Sequence, residues 1–410
     1  MGTPTPAAEL PDDAAELGAD TLAVRGGTLR SELNETSEAL FLTSGFVYDS
    51  AAEAAAAFAG ENERYIYSRL RNPTVAMLEE RLRLLEGAEA ARATASGMSA
   101  VFNALAATLS AGDRVVAASA LFGSCFQVLD QILPRWGIET TFVDGTDLDA
   151  WEQALATPAR AVFLETPSNP MQEVVDLAAV SALAHAAGAR VIVDNIFATP
   201  VLQHPLQLGA DVVVYSTTKP LDGHGRTLGG AILGSEAFME ELQPLLQHTG
   251  PTMSPFNAWV VLKSLETLRL RVERQSASAL ELARWLEDHP GIEEVRYPLL
   301  PSHPQHDLAR RQMSAGGSIV TVRVPGGTPR AFEVLDALEV IDISNNLGDA
   351  KSLATHPATT THHRIGAEVR ARMGITDGVI RLSIGLEDVA DLRNDLDRAL
   401  DGRPGRRRHP

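Results

Sequence analysis

The chain has 410 residues, 45 % of them apolar, which is enough for two domains with a sizeable core. A formal net charge of −18 argues against a general nucleic-acid binder, because phosphate contacts need clustered Lys and Arg. The single Cys125 excludes an intrachain disulfide and fits a reducing cytoplasm, and no apolar run is long enough to cross a membrane.

The opening stretch "MGTPTPAAELPDDAAELG" is acidic and contains prolines. It lacks the regions of a signal peptide, and Pro6 breaks the myristoylation pattern. Residues 1–63 are expected to be an N-terminal arm used in oligomerisation, loose over about the first twenty. Residues 64–260 read as the large domain, 261–402 as a smaller one, and 403–410 as a charged tail.

In the large domain, "NPTVAMLEERLRLLEG" predicts a helix opened by Pro73 and stopped by Gly87. "SGMSAVFNALAATLSAG" predicts a second helix. Then come short runs rich in Val, Ile and Phe: "RVVAAS", "ETTFVD", "RAVFLET", "RVIVDN" and "DVVVYS". Helical stretches such as "DLAAVSALAHAAG" lie between most of them. The alternation predicts an α/β fold, a mostly parallel sheet with helices on both faces. "GGAILG" is too generic to be a nucleotide loop. From about residue 260, "NAWVVLKSLETLRLRVERQSASALELARWLEDHPG" predicts one long amphipathic helix. "SIVTVRV", a helix around 331–338, "RLSIGLED" and a terminal helix complete a smaller α+β domain.

Ligands of open α/β sheets bind beyond the carboxyl ends of the strands. At those ends stand Asn169 in "ETPSNP", Asp194 after "RVIV", and Ser216, Thr218 and Lys219 after "DVVVY". Lys219 is one of three lysines, with Lys263 and Lys351, in a chain that otherwise uses Arg. A drift toward Arg would leave stray lysines too, but only a lysine amine can lose its proton and attack a carbonyl. "ASGMSA" opens a helix with Gly97, where free N–H groups and close backbone approach suit an anion. A lysine, a carboxylate and a phosphate cradle together point to pyridoxal 5′-phosphate (PLP). An Asp beside its ring nitrogen at about 4 Å is worth on the order of 4 kcal/mol at an effective dielectric of 20.

"YSRLRNPT", "ETPSNP", "VDNIFATP" and "STTK…DGHGRTLGG" resemble the Cys/Met-metabolism family of fold-type I PLP-dependent enzymes, from about Thr36 to the last helix. The resemblance implies that Lys219 is the Schiff-base lysine and Asp194 the pyridinium partner. It implies phosphate binding by Ser216, Thr218 and the amides of Gly97 and Met98, and Asn169 near the cofactor's 3′-oxygen. Tyr67 and Arg69 are expected to reach the phosphate of a neighbouring subunit's cofactor, in a homotetramer built from dimers that share active sites. Arg381 is expected to clamp the substrate carboxylate.

"LFGS", "SNNLGDAKSL" and "THPATTTHH" point within the family to γ-replacement on an O-acylhomoserine with sulfide. Cysteine as nucleophile, γ-elimination and a silent binding protein are the alternatives, and succinyl against acetyl stays open. Phe122 replaces the Tyr that many relatives stack on the ring, keeping the stacking and removing the phenol. Asn346 and Lys351 stand where lyases and synthases often carry Ser and Glu, and a Lys there disfavours a nucleophile that brings an ammonium group. Pro220 follows the lysine where an aromatic or His is common. Cys125 reads as a small buried residue, His356, His362 and His363 as loop or surface residues rather than metal ligands, and Glu165 as a possible orienting group.

Overall fold

The computed structural model of the chain describes residues 17–62 and 64–403. The loose opening and the charged tail expected from sequence fall largely outside these residues. Seven strands build the first sheet: β1 Ala90–Thr94, β2 Arg114–Ala118, β3 Glu139–Val143, β4 Ala161–Glu165, β5 Arg190–Asp194, β6 Val212–Tyr215 and β7 Gly230–Gly234. Their order is β1-β7-β6-β5-β4-β2-β3, and only β7 runs against its neighbours.

The apolar runs seen in sequence are continuous because both faces of this sheet are covered. Val162, Leu164, Val191, Val193 and Val213 face one core, and Ala161, Phe163, Ile192, Val212 and Val214 face the other. Burying each such Val or Leu contributes about 1.5–3 kcal/mol. The helix Pro73–Glu86 starts at a Pro behind the cap Asn72 and ends on Gly87 in the left-handed region, as its sequence predicts. The second sheet contains β8 Glu294–Arg296, β9 Ile319–Arg323, β10 Asp342–Ile343, β11 Leu353–Thr355 and β12 Val379–Ser383, in the order β10-β11-β12-β9-β8.

The structure differs from the sequence reading at three places. The long helix is two helices, Pro255–Leu265 and Leu268–Glu287. Glu266 and Thr267 separate them, and the Ser264 carbonyl before the break accepts Thr267 N at 3.3 Å and Arg271 Nη2 at 2.9 Å. "GGAILG", too generic to assign from sequence, is strand β7, and "AARAT" is β1. The helix expected around 331–338 begins earlier, at Gly327. Packing passes from the first core to the second within Leu268–Glu287: Leu268 and Val272 join the large-sheet core, Ala279, Leu282 and Leu286 the small one.

Candidate active site

The carboxyl ends of β4, β5 and β6 lie side by side, with Glu165 and Asp194 in register. After β6 the chain turns tightly: Lys219 N donates to Ser216 O at 3.3 Å and Gly223 N to Lys219 O at 2.8 Å. Lys219 Nζ donates to Asn346 Oδ1 at 2.6 Å. Burial, and then the charge of Arg381, pull its pKa down to about 8. The other lysines are ion-paired: Lys263 with Glu38 at 2.8 Å and with Glu266, Lys351 with Asp349 at 3.4 Å. Lys219 alone is left with a neutral acceptor, which keeps its amine available for chemistry that no arginine could perform here. Pro220 fits beside it because Gly348 has no side chain; a Cβ there would meet the proline ring at 2.7 Å. Arg271 Nη1 holds the Pro220 carbonyl at 2.8 Å, so the break between the two helices braces this turn.

Asp194 is buried, and its Oδ1 accepts Ile196 N at 3.0 Å. Burial pushes its carboxyl up to about 7. It has no cationic partner among the described residues, and a protonated ring nitrogen would supply one.

Beside β6, Ser96 caps the helix Gly97–Thr108 by accepting Ser99 N at 3.1 Å. The N–H groups of Gly97 and Met98 belong to the first turn, which has no intrahelical acceptors. A Cβ on Gly97 would lie 2.5 Å from Ser216 Cβ and 2.8 Å from its Oγ, so glycine is what lets the helix end and the hydroxyl share one cradle. The Thr218 hydroxyl is tied to Gly229, accepting its N–H at 3.1 Å.

Arg381, on β12, is fully buried. Its Nη1 donates to Asn169 Oδ1 at 3.0 Å, and Nη2 to the carbonyls of Asn345 at 3.0 Å and Asn346 at 3.1 Å. Nε has no partner among the described residues. Burial lowers the guanidinium pKa to about 10, with the Glu165 carboxyl opposing; it stays charged at neutral pH. A buried cation with a spare N–H suits a small carboxylate.

Phe122 leads into the short helix Gly123–Gln127, and its N–H donates to Glu165 Oε2 at 2.7 Å. Cys125 is buried 3.8 Å from Met98 Sδ, its thiol pushed well up by burial and then by Asp194. It is an inert packing residue. His362, expected on a loop or the surface, is buried. Its Nδ1 meets Thr361 Oγ1 at 2.8 Å, its Nε2 has no partner among the described residues, and burial lowers its pKa to about 4. His356 is buried too, bonded to Thr359 Oγ1 and Asp377 O at 2.9 Å each. His363 is exposed. Sequence could not rank these histidines because burial depends on partners distant in the chain: the backbone of Thr361 and His362 packs against Gly123, where a Cβ would meet Thr361 O at 2.6 Å, and His356 packs against Asp377 and Phe332.

One group therefore gathers Lys219, Asp194, Asn169, Arg381 and Asn346, with Gly97, Met98, Ser216, Thr218 and Phe122 around it. Tyr67, Arg69 and Lys351 do not join it. Arg69 stacks over the Tyr67 ring at 5.4 Å and donates to Gln247 O on an exposed surface. The Lys351 side chain is 66 % exposed. Asn346 is the residue whose part only the fold reveals: its side chain takes Lys219 while its carbonyl takes Arg381. The residues present fit PLP: an amine for the aldehyde, a buried acid for the ring nitrogen and a helix end for the phosphate.

Comparison with known proteins agrees. A model of the Cys/Met metabolism PLP-dependent enzyme family matches residues 20–401. The chain is 61 % identical over 396 residues to the O-succinylhomoserine sulfhydrylase of Mycobacterium tuberculosis (strain ATCC 25618 / H37Rv), covering 95 % of this chain and 97 % of that one. It is 50 % identical over 394 residues to the Pseudomonas aeruginosa protein of the same name, covering 96 % and 98 %. Among solved structures, a putative O-acetylhomoserine (thiol)-lyase of Campylobacter jejuni, carrying a pyridoxyl-lysine monophosphate, superposes with a TM-score of 0.90 at 31 % identity, over 94 % of this chain and 100 % of that one.

Proposed function

The chain belongs to the Cys/Met metabolism family of PLP-dependent enzymes, and we propose that it converts O-succinylhomoserine and sulfide to homocysteine and succinate, a γ-replacement in methionine biosynthesis. The observation that carries this is the double role of Asn346. Its Oδ1 takes the Lys219 amine at 2.6 Å and its carbonyl takes Arg381 at 3.1 Å, so the proton-moving amine and the carboxylate-holding guanidinium share one anchor.

Arg381, held by Asn169, would receive the α-carboxylate and present Cα toward Lys219. When bound, PLP supplies the electron sink that makes the Cα and Cβ protons removable. Asp194 would hold the ring nitrogen's proton. Lys219, partly neutral near its pKa of about 8, would take the Cα proton and return it at the end; such proton transfer is worth about 10²–10⁴-fold. Phe122 offers a ring face and no acid, which leaves the proton work to Lys219. Loss of a Cβ proton expels succinate from Cγ, the sulfur of H₂S bonds to Cγ as one of its protons leaves, and a proton returns to Cβ.

The reading includes a cytoplasmic homotetramer of dimers in which Tyr67 and Arg69 complete a partner's phosphate site. Exposed Leu42, Val47 and Phe58 on the same N-terminal segment, 69–90 % accessible, support an interface there. The second reading, cysteine as nucleophile, gains from Lys351, whose exposed, Asp349-paired ammonium repels a cysteine ammonium only weakly. Assays of O-succinyl- and O-acetylhomoserine, each with sulfide and with cysteine, decide it: highest kcat/KM with the succinyl ester and sulfide is expected, and better use of cysteine would move the assignment to cystathionine formation.

A further inference from the structure

Glu165 ends β4 and is only 4 % exposed. Its two oxygens serve two separate pieces of the site. Oε2 accepts Phe122 N at 2.7 Å and Oε1 accepts Asn169 N at 2.8 Å. Asn169 in turn holds Arg381 Nη1 at 3.0 Å. Across the sheet, Glu165 pairs in register with Asp194.

We infer that Glu165 is a positioning residue: its carboxylate locks the ring-stacking residue Phe122 and the Asn169–Arg381 carboxylate clamp into one unit beside Asp194. The inference rests on the roles proposed for Phe122, Asn169 and Arg381.

The residue type matters. Two N–H donors converging from separate segments need one group with two acceptor oxygens and no hydrogen. A glutamine matches one donor and turns an N–H toward the other. An ionised acceptor also makes the stronger bonds. The placement is not one that stability alone would choose. Burial, and then the neighbouring Asp194, push the Glu165 carboxyl well above its usual range, while the two N–H groups and Arg381 oppose them. A second buried acid beside Asp194 is a destabilising arrangement that site geometry explains and packing does not.

The test compares wild type with Glu165→Gln and Glu165→Asp. The apo forms are titrated with PLP by absorbance, and KM is measured separately for O-succinylhomoserine and for sulfide. Glu165→Gln is expected to raise half-saturating PLP and the KM for O-succinylhomoserine about tenfold each, with the KM for sulfide within about twofold. Glu165→Asp keeps the carboxyl but is too short to span both N–H groups, so it restores neither value. A merely structural role would not separate the two substrates. Wild-type PLP affinity together with wild-type KM for O-succinylhomoserine in Glu165→Gln overturns the inference, as does an equal loss toward both substrates. If Glu165→Gln does not fold, the same two measurements on Glu165→Asp decide the matter. If wild type itself does not use O-succinylhomoserine, the proposed function fails and the PLP titration alone judges Glu165.

Discussion

Replacing Gly97 with alanine probes the anion cradle through a single methyl group. Gly97 has helical backbone, so the substitution adds no backbone strain, and in a helix interior alanine would gain up to about 1 kcal/mol. The new Cβ would stand 2.5 Å from Ser216 Cβ and 2.8 Å from its Oγ. Carbon atoms rest at about 3.5–4.0 Å, so the helix end and the Ser216 backbone must part by about 1 Å. Overpacking of this kind costs about 1–3 kcal/mol. The apo protein should therefore lose at most about 2–3 kcal/mol, and the phosphate donors on both sides of the gap should be displaced together. A misplacement of about 1 Å at a site can cost about a hundredfold in rate, and we expect cofactor affinity to fall by about ten- to a hundredfold. Titrating apoenzyme with PLP by absorbance, alongside thermal melts of apo and loaded protein, separates the two effects. The double variant Gly97→Ala, Ser216→Gly should recover part of the apo stability but not affinity, because it removes the Cβ contact and the hydroxyl together while the backbone Cα stays 3.0 Å from the new methyl. Wild-type cofactor affinity in Gly97→Ala would refute the assignment of the cradle.

Lys219→Ala should abolish turnover and covalent capture of the cofactor while leaving the fold intact; borohydride reduction and peptide mapping check it, and a reduced adduct on Lys263 or Lys351 contradicts it. Cofactor capture by apoenzyme should quicken as pH rises through about 8, because the Lys219 pKa is lowered there and only the neutral amine attacks. Stopped-flow absorbance between pH 6 and 9 measures this, and a flat profile argues against it. Lys351→Glu should move the nucleophile preference toward cysteine, but by no more than about fivefold, since exposed charge contacts are worth about 0–1 kcal/mol. The ratio of kcat/KM for sulfide and cysteine reads it, and a shift toward sulfide refutes the charge argument.

The sequence by itself determined the alternation of strands and helices, the caps of Pro73–Glu86, and the row of polar residues at the strand ends. These features are local. A strand's apolar run, a cap beside a helix or an Asp after a strand is written within a few neighbouring residues, and backbone hydrogen bonding reads it there. Lys219, Asp194 and Asn169 were legible for that reason. Strands β1 and β7 were not: "AARAT" pairs only with β7, about 140 residues away, and "GGAILG" gains strand character from lying between β1 and β6. Only tertiary structure decided that the helix after Pro255 breaks where Arg271 takes the Ser264 carbonyl. It decided too that Lys351 points to solvent, that His362 is buried, and that Asn346 joins Lys219 to Arg381. It alone brought Phe122 and Asn169 onto the two oxygens of Glu165. Where a side chain points, and which donors meet it, depends on how segments distant in sequence pack against one another, and no local pattern encodes that.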